Sequence, residues 1–388
     1  MYTRLLNPTV SFSFFLFGAR GVGKTTYLQN YFEPRRTYWF DLLDIELEDR
    51  LIKNPRLFSE ILSSLEKDIS YIIIDEIQKI PKLLDLVHQF LQKNPDRFKF
   101  ILTGSSARKL KRGGANMLAG RAFVYYMFPL CYSELNHDFN LNEYLKYGGL
   151  PQIYKFRNDE EKNHFLKAYA LTYLKEEVWA EHLIQKLDPF RNFLEVAAQC
   201  NGDIINYSKI ARQSGVTIKT VQVYFDILKE THIGIILDTY HSSVRKRLIS
   251  SPKFYFLDTG IKRALDNTLH VDLPEHTYAY GKAFEHFVIT QIFFLNEYLQ
   301  KDYHFFYLKT KDGAEIDLII EKSDKQKLLI EIKSTDRSEE VDVNNLRKFQ
   351  RDIPDSKAYC ITRDKYKRKK GTIEFFPWDQ AFEEIFRK

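Results

Sequence analysis

The sequence predicts an α/β protein of several domains that opens on a parallel sheet with helices on both faces. Three observations predict it. The 388 residues exceed one compact core at roughly 100 to 200 residues per domain. Apolar runs of strand length end in small or polar residues, and helical patterns fill the intervals between them.

Taken in order, Val10–Phe17 reads as a buried strand, a glycine-rich turn follows, and Lys24–Phe32 reads as a helix. The turn, Gly18, Ala19, Arg20, Gly21, Val22, Gly23, Lys24 and Thr25, fits G-x-x-x-x-G-K-[ST] between the strand and helix that this motif requires. Its glycines let backbone N–H groups curl around phosphates. The Lys24 ammonium suits the β and γ phosphates and the Thr25 hydroxyl suits Mg²⁺. With Thr26, these residues form the expected ATP-binding set. Helical patterns over Leu57–Glu66 and Leu83–Leu91 flank a second strand, Tyr71–Ile74, which ends in Asp75 and Glu76. Asp75 is placed to support Mg²⁺ and Glu76 to polarise a water, a pairing that implies hydrolysis. A third strand, Phe98–Leu102, ends in Thr103, Gly104, Ser105 and Ser106, and the hydroxyls of Thr103 and Ser105 are candidates to position the γ phosphate. Residues 1–135 are expected to form this core.

Residues 136–187 turn helical and aromatic, with a turn at Gly148, Gly149 and Pro151, and read as a connector. Residues 188–270 read as a helix-turn-helix with a wing: Ser208–Arg212, a turn at Ser214–Val216, a second helix Ile218–Lys229, a strand Ile233–Leu237 and the basic Arg245, Lys246 and Arg247. Lys219, Thr220 and Gln222 are placed to reach a groove. Together with Lys365, Lys367, Arg368, Lys369 and Lys370 they point to nucleic acid, DNA first, although winged helices also serve as protein interfaces.

Residues 271–388 return to α/β, with a helix over Gly281–Leu299 and strands over His304–Leu308, Glu315–Ile320 and Lys327–Ile332. Asp317, Glu331 and Lys333 are charged groups inside apolar strands. A hairpin turning about Asp324 sets Asp317 opposite Glu331 with Lys333 on the same face. Such a site can hold Mg²⁺, with Glu285 of the preceding helix as a third carboxylate, and Lys333 can stabilise charge on a phosphate under attack. A cross-strand pair of Asp317 with Lys333 produces the same letters.

The chain resembles AAA+ type P-loop ATPases (AAA_14-like) that carry a C-terminal DUF4143 domain. The resemblance rests on Gly18–Thr25, Ile74–Pro81, Leu102–Ser106, Leu118-Ala119-Gly120-Arg121, Pro129-Leu130, Glu134, Gly148–Pro151 and Lys253–Gly260. It implies a P-loop NTPase core, a winged-helix middle and a restriction-endonuclease-like α/β C-terminal domain. Asp317, Glu331 and Lys333 then look like the D and ExK elements of the PD-(D/E)xK nucleases, with Glu285 as the helical acid. Lys309 stands where related chains often carry an arginine. The resemblance also places Arg121 near the nucleotide or a neighbouring subunit, as a sensor or arginine finger, and assembly into a homo-oligomer follows only by analogy. An ATP-driven protein acting on DNA is the leading expectation. A nucleotide switch with a silent nuclease fold is the alternative.

Composition narrows the class. With 44% hydrophobic and 28% charged residues the chain is neither disordered nor low-complexity. No apolar run approaches the roughly 20 residues that span a bilayer, and no signal peptide precedes the first strand, so a cytoplasmic protein off the membrane is expected. Cys131, Cys200 and Cys360 lack metal or disulfide spacing, and the net charge of +6 favours anionic partners only weakly.

Overall fold

The structure, a computed structural model, describes residues 2–105, 118, 120–173, 187–241 and 251–387. Ser106, Ala119 and the basic triplet Arg245, Lys246 and Arg247 lie outside the described residues. The chain divides into two compact units, Met1–Leu130 with Leu150–Gln152 and Ile227–Ile233, and Cys131–Gly149 with Ile153–Asp226 and Gly234–Lys388.

The first unit is built on β1 (Ser13–Phe17), β2 (Thr37–Asp41), β3 (Tyr71–Asp75), β4 (Lys99–Gly104) and β5 (Ala122–Tyr126), in the order β2-β3-β4-β1-β5 with every pair parallel. All five residues of β1 are buried, as a central strand covered on both faces requires. Helix α1 (Lys24–Tyr31) follows it after the loop Gly18–Gly23. Helices α2 (Ile45–Lys53), α3 (Arg56–Ser64) and α4 (Leu83–Lys93) are amphipathic: α4 buries Leu83, Leu84, Val87 and Leu91 at helical spacing. Asp44 caps α2 by accepting from the Glu46 and Leu47 amides. Register pairs Phe17 with Gly104 and Ile74 with Leu102, so β1, β3 and β4 finish level with one another. The residues after each strand therefore collect at one edge, where open α/β sheets bind ligands.

In the second unit, β6 (Gly234–Thr239), β7 (Lys253–Phe256), β8 (His304–Lys309), β9 (Glu315–Glu321), β10 (Lys327–Ile332), β11 (Ser356–Thr362), β12 (Arg368–Lys370) and β13 (Ile373–Pro377) form one sheet in the order β12-β13-β11-β10-β9-β8-β6-β7. The antiparallel pairing of β9 with β10 sets Leu329 against Ile319 and Ile330 against Leu318, the register of a hairpin centred on Asp324. The helix Tyr278–Tyr298 is apolar nearly all round and buried accordingly, from Phe284 to Leu295. Ahead of β6, the helices Leu187–Gln199, Tyr207–Ser214 and Ile218–Glu230 are joined through left-handed Gly215, and Phe190 and Phe193 pack edgewise on Tyr224 and Phe225. β6 pairs with β7 on one side and with β8 on the other, so this strand pair continues the C-terminal sheet.

Two of the motif segments meet within the second unit. Asp258 caps the helix Thr259–Leu265 by accepting from Ile261 N at 2.9 Å, and its other oxygen accepts from Gly149 N at 2.7 Å. Gly148 has φ 77°, and a Cβ there would fall 2.0 Å from Asp258 Oδ1. Gly260 is equally constrained, since a Cβ would lie 2.1 Å from the Tyr147 carbonyl oxygen. These glycines are a structural joint.

Candidate active site

The loop Gly18–Gly23 is shaped by positions that exclude side chains. A Cβ on Gly18 would sit 2.2 Å from the Met127 carbonyl oxygen, and Gly21 and Gly23 take φ of 77° and 96°. Val22 points into the core and is fully buried, Ala19 is also buried, while Arg20 and Gly21 are exposed. Lys24 is only 5% exposed, and its Nζ donates to Gly18 O at 2.7 Å and Ala19 O at 3.3 Å. The ammonium is thereby held inside the curve of the loop. Thr26, one residue past Thr25, is exposed and its carbonyl accepts from Asn30.

Thr25 Oγ1 donates to Asp75 Oδ2 at 2.8 Å, which ties the start of α1 to the end of β3. Thr103 donates to the other Asp75 oxygen and accepts from Glu76 N at 3.1 Å. The Thr103 hydroxyl, expected to meet a γ phosphate, is instead fully buried and engaged in holding these two acids. Burial pushes the Asp75 carboxyl above the usual range, and the Thr103 and Thr25 hydroxyls and Lys24 pull against that shift. Glu76 takes φ 58° and ψ 47°, an uncommon conformation for a glutamate. Its carboxylate accepts from Gln78 Nε2, which also donates to Ser105 Oγ at 3.2 Å. Gln78 is thus a residue of the site that motif reading left without a role. Arg121 is partly buried, and its Nη1 is a buried nitrogen with no hydrogen-bond partner among the described residues. A pair of oxygen donors, Thr25 and Asp75, anchored below a loop of amides and an ammonium, fits Mg²⁺ with a nucleotide phosphate.

The C-terminal residues behave differently. Lys333 Nζ lies 2.6 Å from Glu331 Oε1, and Asp317 Oδ2 accepts from Ile332 N at 2.7 Å. Glu285 accepts from Tyr255 OH at 2.7 Å and pairs with Lys253 at 3.7 Å and Lys282 at 3.5 Å. Burial, then Glu331 and Glu285, push the Asp317 carboxyl far above its ordinary range; burial likewise raises Glu331. Among the described residues no group of three His, Cys, Asp or Glu side chains could hold a metal ion. Glu285, Asp317 and Glu331 are therefore neighbours whose oxygens are not directed at one point, because each carboxylate is held by a nearer ammonium, hydroxyl or amide. These residues do not fit Mg²⁺. Asp317 and Lys333 do not form the alternative cross-strand bridge either, since the ammonium goes to Glu331. Lys253, Tyr255 and Glu315 belong to the cluster although the sequence reading assigned them no chemistry. The available signal was a lysine opening the otherwise apolar strand Lys253–Phe256.

Comparison with known proteins matches three segments of the chain to families. Residues 11–136 match the AAA domain family, residues 138–272 match a domain of unknown function, DUF8612, and residues 280–380 match another, DUF4143. An uncharacterized protein of Mycobacterium tuberculosis is 25% identical over 311 residues, 79% of this chain and 67% of that protein. One of Methanocaldococcus jannaschii is 25% identical over 411 residues, covering 94% of this chain and 83% of its own length. A DNA polymerase III gamma subunit-related protein of Thermotoga maritima is similar in structure at 11% identity and a TM-score of 0.26, over 58% of this chain and 95% of that one. The parallel sheet, the loop after β1 and the family match together make residues 11–136 an AAA-type ATPase domain.

Proposed function

We propose that this chain is an ATP-dependent switch that hydrolyses ATP in its first unit and binds nucleic acid, DNA first, through the helices of residues 187–230, its C-terminal sheet serving as a nuclease-like scaffold without cleavage. The observation that carries the ATPase reading is the hydrogen-bond chain from Thr25 through Asp75 and Thr103 to Glu76, which joins the loop to the ends of two strands. Loop amides from Gly18 to Lys24 bind the phosphates, and the Lys24 ammonium exchanges the carbonyls of Gly18 and Ala19 for phosphate oxygens. Thr25 and Asp75 are the residues to hold Mg²⁺, which neutralises phosphate charge when bound. Glu76 orients the attacking water and takes its proton. Arg121 is a candidate sensor of the transferred charge, and its buried Nη1 supports a role within its own chain.

DNA binding is supported by the helix pair with its left-handed Gly215 turn, on which Lys219 and Gln222 are exposed and Thr220 half-buried, and by the exposed basic edge strand Arg368–Lys370. The test measures phosphate release and DNA retention together. Wild type is expected to release phosphate, Lys24→Ala to lose ATP binding, and Glu76→Gln to bind ATP while hydrolysing it about a hundredfold more slowly or worse. DNA retention should change between the ATP-bound Glu76→Gln protein and the nucleotide-free protein. Equal hydrolysis by wild type and Glu76→Gln, or retention indifferent to ATP, would refute this reading.

A further inference from the structure

The C-terminal cluster contains a cation of its own. Lys253 opens β7 and is 2% exposed, a burial that lysine accepts only against negative charge. Its Nζ lies 2.6 Å from Glu315 Oε1 on β9 and 3.7 Å from Glu285 Oε1 on the helix Tyr278–Tyr298. Tyr255, two residues along the same strand and so on the same face, donates to that Glu285 oxygen at 2.7 Å. The outer oxygens are also taken: Glu315 Oε2 by Lys309 at 2.9 Å and Glu285 Oε2 by Lys282 at 3.5 Å. A divalent cation needs several carboxylate oxygens directed at one point. Here one ammonium, buried between carboxylates from a strand and a helix, already has that position.

We propose that Lys253 occupies the place of a divalent cation among Glu285, Glu315 and Asp317, the last of these lying two residues along the strand from Glu315 and so on its face, so that the C-terminal sheet takes up no Mg²⁺ while this lysine is present. An ammonium supplies one positive charge and three donors, and with Lys282 and Lys309 on the outer oxygens it offsets the charge of Glu285 and Glu315. It offers no water to be activated, which is why the cluster holds its elements together without attacking a phosphodiester. Lys253 thus belongs to the architecture, linking β7, β9 and the long helix by charge. The inference rests on reading the C-terminal sheet as a scaffold, but it is tested by metal uptake and not by cleavage, so the two can fail separately.

The test is a Mn²⁺ titration of the full chain without nucleotide, following free Mn²⁺ by electron paramagnetic resonance. Each protein is compared with its Asp317→Asn counterpart, which separates the cluster from the Thr25 and Asp75 pair. Wild type should show no Asp317-dependent uptake at millimolar Mn²⁺. Lys253→Met should gain, at the same millimolar Mn²⁺, uptake that Asp317→Asn removes, on the expectation that unneutralised carboxylates bind hard cations. Lys253→Gln, which keeps a polar group in place, carries the same expectation if the methionine variant misfolds by circular dichroism. Asp317-dependent Mn²⁺ uptake by wild type would overturn the proposal, as would a folded Lys253 variant that gains none.

Discussion

Gln78 shows what a single side chain adds to a motif. Its amide nitrogen bridges the Glu76 carboxylate and Ser105 Oγ, while its Oε1 is buried with no hydrogen-bond partner among the described residues. A buried amide oxygen left unsatisfied costs on the order of 1–3 kcal/mol, so the side chain is kept there by its donor contacts. We therefore treat Gln78 as a positioning residue for Glu76. Gln78→Ala is expected to lower kcat about tenfold, ~1.4 kcal/mol, with KM for ATP nearly unchanged, because the phosphates are held by the loop. A rise in KM with kcat intact would contradict that role. The meeting of Thr25, Asp75 and Glu76 at the ends of strand and helix could be expected from spacing, since strand, loop and helix order follow from adjacent residues. Gln78 could not be read that way, because its partner Ser105 ends another strand.

At the scale of elements, the joint of Gly148, Gly149 and Asp258 and the helix Tyr278–Tyr298 set stability. Gly148→Ala forces a Cβ to within 2.0 Å of a carboxylate oxygen at φ 77° and is expected to cost about 3 kcal/mol in urea unfolding. An unchanged midpoint would show that the joint yields. His286 on the long helix bonds the Phe256 carbonyl, and burial lowers its pKa from 6.5 to about 4. Between these values the unfolded chain binds a proton that the folded chain refuses, so stability falls as pH drops through this window and is fully present above it. From pH 7 to pH 5 wild type should lose about 2 kcal/mol more than His286→Gln, at ~1.4 kcal/mol per pKa unit. Parallel losses in both proteins would remove His286 from the account. Elements with one dominant signal were legible: the expected strand Lys327–Ile332 has its observed bounds, and the helices of the middle segment end within two residues of expectation. β2 and β5 were missed because both are short and largely exposed: β2 mixes aromatic residues with Thr37 and Asp41, and β5 is a five-residue apolar run with no alternation.

For the whole molecule, sequence order divides the chain into four segments, while packing gathers it into two compact units. The difference comes from β6 and β7. They carry the local signature of a hairpin after two helices, yet β6 also pairs Asp238 with Phe306, a contact across 68 residues that no local pattern announces. The surroundings of the expected carboxylates show the same limit: the Asp324-centred register was legible, but Lys253, far earlier in the chain, was not legible as their neighbour. Among the described residues no helix is long and apolar enough to cross a membrane.

One assay decides most directly between an ATP-driven switch and an ATP-gated nuclease. Phosphate release and cleavage of single- and double-stranded DNA are followed in Mg²⁺, with and without ATP, for wild type, Lys24→Ala and Asp317→Ala. We expect phosphate release from wild type and Asp317→Ala, its loss in Lys24→Ala, and no cleavage that depends on Asp317. Cleavage by wild type that Asp317→Ala abolishes would contradict the account and restore the C-terminal sheet as a second catalytic centre.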